Sequence, residues 1–179
     1  DLHVLTLSFP TRRSSDLLSG GHTSKFWSEG RLLRKVGDED WLAATIEGGV
    51  GISLPAFAER MAKCLLFFNP DWTLELVHAS ENNNLEQKLK TALVRMEQKA
   101  DTVVIGNFHH GTLYKNDDDD GHYSPIGAYD EATDRVLVLD VYNDYPPTWV
   151  NFKDFIAAIS ACDSQSGKSR GFLELRLKK

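Results

Sequence analysis

A histidine and an aspartate flank one segment of the sequence that is predicted to form a β-hairpin. His122 opens the first strand, predicted over 122–129, and Asp140 lies near the end of the second, predicted over 135–141. A carboxylate beside an imidazole fixes its tautomer and stabilises the imidazolium. A general base needs this support in order to take a proton from a thiol or hydroxyl nucleophile. The pair is therefore a candidate for the base half of an acyl-transfer site.

The loop between the two strands decides whether these side chains meet, because side chains alternate between the faces of a strand. A three-residue loop centred on Glu131 places His122 directly opposite Asp140, and a five-residue loop over 130–134 places them diagonally on one face. Direct neighbours lie about 5 Å apart and diagonal ones about 7–8 Å. Both loops predict that the pair meets. The spacing also fits an ordinary satisfied polar pair without a catalytic role.

The nucleophile that should accompany this pair is not evident. The chain has two cysteines, Cys64 and Cys162. A reactive cysteine favours a helix N-terminus, where its pKa falls. Cys64 instead falls in mid-helix on an apolar stripe, which is typical of a core cysteine, and Cys162 follows the last predicted helix in a polar turn. We therefore expect the chain as written to be inactive, since loss of a triad nucleophile removes nearly all of the triad's advantage.

Composition limits the class of protein. The chain has 179 residues, 41% of them hydrophobic, and a net charge of −6. These values predict one globular domain and argue against nucleic acid as a partner, because such binders usually carry a basic patch. No apolar run is long enough to span a bilayer. The low cysteine content favours a reducing compartment, such as the cytoplasm.

The residue patterns predict an α+β protein, in which helices come first and a meandering antiparallel sheet follows. Helices are predicted over 38–47, from 53 to 68, from 85 to 96 and over 152–161, and strands over 73–78, 102–108, 122–129, 135–141 and 172–177. The segment Pro10–Leu17 resembles a translated sequencing adapter. We therefore expect residues 1–17 to be non-native and 18–179 to form part of one catalytic domain.

Several ordered motifs resemble the phytochelatin synthase family. They are G-H-Y-S-P-I-G at 121–127, V-L-D-V at 138–141, Y-P-P-T-W-V at 145–150 and R-G-F at 170–172. The resemblance implies a papain-like cysteine-peptidase fold, with His122 as the general base and Asp140 as the residue that orients it. It also implies transfer of γ-glutamylcysteine from one glutathione to another through a cysteine thioester. No fixed cofactor is implied, because a heavy-metal ion such as cadmium or zinc enters with the substrate as a thiolate.

The chain departs from the family pattern at the nucleophile and near the aspartate. The family's Tyr-Cys-Gly-like motif does not occur, so we expect the nucleophile-bearing part to lie N-terminal to this sequence. Residues 142–144 stand where the family usually has basic residues. Two other interpretations therefore stay open. One is a papain-like glutathione hydrolase or amidase, and the other is a binding module without a nucleophile.

Three further groups of residues are predicted to be structural. Adjacent strand residues point to opposite faces, so His109 and His110 are not expected to share a metal ion. The acidic run Asp117–Asp120 is predicted to be a solvated loop at the rim of the site, where it would repel anionic substrates. Tyr145 and Trp149 are expected to pack beneath the hairpin.

Overall fold

The computed structural model describes residues 51–178 except 69, 100, 143 and 165. The predicted helix over 38–47 and the predicted boundary before Leu18 lie outside the described residues. No helix in the described ranges is long and apolar enough to cross a membrane.

Four helices and six strands make up this part of the chain. In chain order they are α1 (Leu54–Phe68), β1 (Trp72–His78), α2 (Leu85–Gln98), β2 (Thr102–His109), α3 (His110–Tyr114), β3 (Gly121–Asp130), β4 (Arg135–Val138), β5 (Thr148–Asn151), α4 (Phe152–Ser160) and β6 (Gly171–Leu177). A single 3₁₀ turn, Ala79–Glu81, follows β1. The predicted α+β class is confirmed.

All six strands form one antiparallel sheet in the order β1-β6-β2-β3-β4-β5. The last strand, β6, lies between β1 and β2, so the C-terminal segment joins β1 to the rest of the sheet. Leucines 173, 175 and 177 all pack with one hydrophobic cluster, which confirms that they share a face.

Helices cover both faces of the sheet, and the sheet separates two hydrophobic clusters. The larger cluster joins α2 and α4 to residues such as Phe108 of β2 and Ile126 of β3. The smaller one joins α1 to Ile105 of β2 and to Leu173 and Leu175 of β6. Phe108 and Ile105 are three residues apart on one strand and therefore face opposite ways.

The β3–β4 hairpin differs from both predicted loops. Asp130 pairs with Arg135, so the loop contains the four residues 131–134. That register alone would place His122 and Asp140 on opposite faces. A β-bulge at Gly127 corrects it, because Ile126 pairs with Val138 beyond the bulge.

The chain after β4 is also organised differently from the prediction. β4 ends at Val138, so Asp140 lies just past the strand rather than inside it. Residues 148–151 form an additional edge strand, β5. Trp149 on this strand is 39% exposed, so the prediction that it packs beneath the hairpin is wrong. Alternation explains the exposure, since the neighbouring Val150 takes the buried position.

Candidate active site

Asp140 is the centre of the site because its fully buried side chain accepts hydrogen bonds on both oxygens. On one side, Oδ1 lies 3.5 Å from His122 Nδ1 and accepts the Tyr142 backbone N–H at 3.0 Å. On the other side, Oδ2 lies 3.0 Å from His110 Nε2 and accepts the Tyr114 hydroxyl at 2.8 Å. The structure therefore brings the predicted pair together and adds a second histidine.

The bulge explains how the predicted pair meets. Beyond Gly127, Leu139 N–H donates to Pro125 O at 3.0 Å, which continues the shifted register by one more pair. Ser124 then comes opposite Asp140, and its hydroxyl lies 3.5 Å from Oδ1. His122 precedes Ser124 by two residues on β3, so the two side chains lie on the same face of the sheet.

Hydrogen bonds keep the buried carboxylate ionised. Burial by itself raises the pKa of Asp140, but the hydrogen bonds from His110, His122, the Tyr142 backbone and Tyr114 outweigh it and hold the pKa far below its usual range. Burial, followed by the hydrogen bond to Asp140, raises the pKa of the Tyr114 hydroxyl well above its usual value. The site thus holds a fixed negative charge on Asp140.

His110 is a member of the site that the sequence did not predict. Its side chain is fully buried between two carboxylates, with Nδ1 2.9 Å from Asp118 Oδ2 and Nε2 on Asp140. Burial lowers the pKa of His110, but the hydrogen bonds to Asp140 and Asp118 outweigh it, and the net effect raises the pKa. His109 turns away instead, and its ring contacts Thr112 and Asp119.

The change from strand to helix at His109 positions these histidines. His109 Nδ1 accepts the Thr112 backbone N–H and so caps α3. Two backbone bonds tie the start of α3 to the acidic loop, from His110 N to Asp120 O at 2.9 Å and from Gly111 N to Asp118 O at 2.7 Å. The predicted solvated loop is therefore wrong for Asp118, which bonds His110 and the Tyr145 hydroxyl.

Aromatic rings surround the two histidines. The His110 and His122 ring centroids are 3.8 Å apart. Tyr145 lies 4.6 Å from the His110 ring and stacks on Tyr114 at 4.5 Å, while Tyr142 lies 5.2 Å from the His122 ring. Because these rings exclude water from the far side of Asp140, His122 is the histidine that keeps access, with 19% of its side chain exposed.

A second buried polar group lies beside the start of β3. The Arg170 guanidinium packs against Gly121, where any Cβ would collide with it. Its Nη1 donates to Asn107 Oδ1 at 3.1 Å, and its Nε has no partner among the described residues. Arg170 is 7% exposed, so this residue is a buried cation next to the residue that precedes His122.

Neither cysteine is placed as a partner for His122. Cys64 is 4% exposed in the third turn of α1, and α1 packs on the sheet face of Ile105. His122 pairs with Phe108 and shares its face, the opposite one. The prediction that Cys64 is a core residue is confirmed. Cys162 is exposed after α4, where its backbone forms an isolated antiparallel β-bridge with Ser169.

Among the described residues, His110, His122 and Asp140 are the group with suitable spacing for a metal ion, since one ligand atom from each lies within 4.8 Å of the others. This group is not predicted from the sequence, because His109 and His110 are expected to stay extended after the strand at 102–108. The signal available was Gly111 directly after the histidines, since glycine interrupts a strand pattern.

Comparison with known proteins gives a consistent family. The profile of the family described as phytochelatin synthase matches residues 40–172, which include every site residue above. The chain is 35% identical over 82 residues to glutathione γ-glutamylcysteinyltransferase 1 of Arabidopsis thaliana, a match that covers 45% of this chain and 16% of that protein.

Two further relatives carry the same enzyme name. The enzyme numbered 1 from Lotus japonicus is 31% identical over 101 residues, covering 56% of this chain and 19% of that protein. The Schizosaccharomyces pombe protein is 39% identical over 57 residues, covering 31% of this chain and 14% of that protein. The matched part of the chain thus spans less than a fifth of the length of these three relatives.

Proposed function

The chain belongs to the phytochelatin synthase family, and from this premise we propose that it carries the general-base half of a site for γ-glutamylcysteine transfer. The donor is glutathione, and the acceptor is a second glutathione. The observation that carries the proposal is the contact of His122 Nδ1 with the buried, ionised Asp140. We further propose that the domain is papain-like, which accords with its antiparallel sheet and helices.

The chemistry follows from the two nitrogens of His122. With Nδ1 held by Asp140, Nε2 carries the lone pair and takes the proton of a cysteine thiol. The thiolate attacks the carbonyl carbon of the bond between cysteine and glycine in glutathione. Glycine leaves with a proton from His122, and γ-glutamylcysteine stays on the enzyme as a thioester. The amine of a second glutathione then breaks the thioester, again with His122 as the base.

The thiol belongs to sequence outside the 179 residues in this proposal. Cys64 is on the opposite face of the sheet from His122, and Cys162 is exposed after α4. Heavy-metal ions enter as part of the substrate, bound to glutathione sulfur. A soft thiolate ligand favours zinc and cadmium.

Hydrolysis is the second candidate, and the acidic loop favours it. Asp118 contacts the site directly, and Asp117, Asp119 and Asp120 are exposed beside it. These charges repel the carboxylates of an acceptor glutathione, whereas water is neutral. Under this alternative, water replaces the second glutathione and releases free γ-glutamylcysteine.

In the test, the protein encoded by the complete natural reading frame is incubated with glutathione and cadmium. Mass spectrometry then identifies the reaction products. Glycine release with longer thiol peptides supports transfer, and glycine release without them supports hydrolysis. Without glycine release both glutathione reactions are rejected, and a binding module remains. His122→Gln should abolish glycine release. His109→Asn is the matched control, because His109 contacts Thr112 and Asp119 rather than Asp140.

A further inference from the structure

The two histidines on Asp140 meet the requirements of a second kind of site. We propose that His110, His122 and Asp140 bind one divalent transition-metal ion of the zinc class, held by the protein itself rather than carried by a substrate. Binding needs only these three side chains, so it does not depend on the proposed transfer reaction.

The spacing of the ligand atoms agrees with the size of such a site. Zinc binds imidazole nitrogen and carboxylate oxygen at about 2.0–2.2 Å, so two ligands of a tetrahedral ion lie about 3.3–3.6 Å apart. His110 Nε2 is 3.0 Å from Asp140 Oδ2, and His122 Nδ1 is 3.5 Å from Oδ1. All three ligand atoms lie within 4.8 Å of one another. Small side-chain movements therefore complete the site.

The surroundings prepare His110 as a ligand. Asp118 Oδ2 lies 2.9 Å from Nδ1 of His110, so Nδ1 keeps its proton when a metal ion displaces the proton that Nε2 shares with Asp140. Metal-bound histidines commonly have a carboxylate on the other ring nitrogen, which fixes the ring and strengthens the ligand. The Tyr114 hydroxyl also donates to Asp140 Oδ2 and keeps the carboxylate in place.

The fourth ligand position is on the side of His122. The side chains of His110 and Asp140 are fully buried, whereas 19% of the His122 side chain is exposed. Three protein ligands and one open position are typical of sites that exchange a water or a thiolate ligand. A water molecule or a small thiol is therefore expected to complete the coordination.

A bound ion and the base function exclude each other at His122. An ion on Nδ1 leaves the proton on Nε2, so the imidazole has no lone pair for a thiol proton. This consequence alone rests on the proposed function. If that function is correct, a metal ion bound by the protein inhibits the reaction, while the same metal bound to glutathione sulfur does not.

The test measures metal binding to the metal-free 179-residue chain. Co²⁺ is added as a spectroscopic probe, and Zn²⁺ is then titrated against it. One equivalent should give the absorption bands of four-coordinate Co²⁺, and Zn²⁺ should displace it. His122→Gln and His110→Gln should each weaken binding at least about 100-fold, because they remove a ligand, and Asp118→Asn should weaken it about 10–100-fold.

Cys162→Ser is the control and should bind as the unchanged chain does, because this exposed thiol is not one of the three proposed ligands. Thermal unfolding of each variant shows whether it is folded. His122→Gln keeps the test decisive even if His110→Gln unfolds, since His122 is partly exposed. Absence of the Co²⁺ bands at one equivalent, or bands of equal strength in folded His122→Gln, would overturn the proposal. Neither outcome affects the glycine-release assay, which tests the transfer reaction separately.

Discussion

The two ends of the β3–β4 hairpin both place an aspartate against an aromatic side chain, but in different surroundings. At the turn, Asp134 accepts a hydrogen bond from the Tyr129 hydroxyl at 2.7 Å and forms an ion pair with Lys90. Its side chain is 42% exposed. At the open end, the Asp140 side chain has no exposed surface and contacts two histidines and a tyrosine.

The difference shows that residue type and spacing do not decide which pair has a chemical role. An exposed carboxylate exchanges each protein contact for water at small cost, and exposed ion pairs contribute about 0–1 kcal/mol. A buried carboxylate must be satisfied by protein groups, so each of its donors is held in place. That fixed geometry is what a base or a metal ligand requires, and the turn lacks it.

The largest expected effect comes from replacing the two aspartates in parallel. Asp140→Asn should lower the free energy of unfolding by about 3–5 kcal/mol, because it removes the charge that the two histidines surround. Asp134→Asn should cost less than about 1 kcal/mol, since asparagine tolerates the left-handed backbone of residue 134 (φ 51°). Urea denaturation measures both. Similar losses in the two variants would contradict the distinction between the two ends.

The two histidines provide the next comparison. His110→Gln should destabilise the protein by about 2–3 kcal/mol, because two carboxylates lose a buried donor. His122→Gln should cost less than about 1 kcal/mol, since its contact with Asp140 is 3.5 Å long and its ring is partly exposed. Urea denaturation at one pH checks this order. A larger loss for His122→Gln would mean that His122, and not His110, holds the carboxylate.

Local patterns predicted much of this hairpin. Alternating residues predicted strands β3 and β4, and the family motifs indicated His122 and Asp140. The pair meets diagonally, as one of the two predicted loops required. The observed loop has four residues, however, and the register depends on the bulge at Gly127. A bulge of one residue leaves the alternating apolar pattern intact before and after it. The periodicity of the sequence therefore could not predict the bulge.

The role of His110 could not be predicted for a different reason. The predicted strand ends at residue 108, and no helix is predicted directly after it, but the chain turns into α3 after His109. Backbone bonds from His110 and Gly111 to residues of the acidic loop fix that turn. These contacts join residues seven and ten positions apart in the sequence, and such irregular contacts leave no periodic pattern.

The β-bulge at Gly127 lies between the turn and the open end of the hairpin. A substitution there should have an intermediate effect on stability. A Cβ on Gly127 would lie 2.9 Å from Leu139 Cγ, so Gly127→Ala must displace the residue next to Asp140. We expect a loss of about 1–2 kcal/mol, together with changed imidazole NMR signals of His122. The backbone amide of Tyr129 near the turn should change little. Unchanged His122 signals would show that the bulge does not set the position of Asp140.

The smallest effect concerns the ionisation of Tyr129 at the turn. Burial, followed by the hydrogen bond to Asp134, raises the pKa of Tyr129 to about 12. A raised pKa means that folding favours the neutral hydroxyl, so this contribution to stability is complete below the usual tyrosine pKa of about 10 and is lost as pH rises through 12. Tyrosinate absorbance, compared with Tyr129→Phe, should isolate this titration. Asp134→Asn should lower the pKa only in part, because burial is the larger cause. A return to the ordinary value in that variant would mean that the turn, like the open end, is controlled by its carboxylate, and the contrast between the two ends would fail.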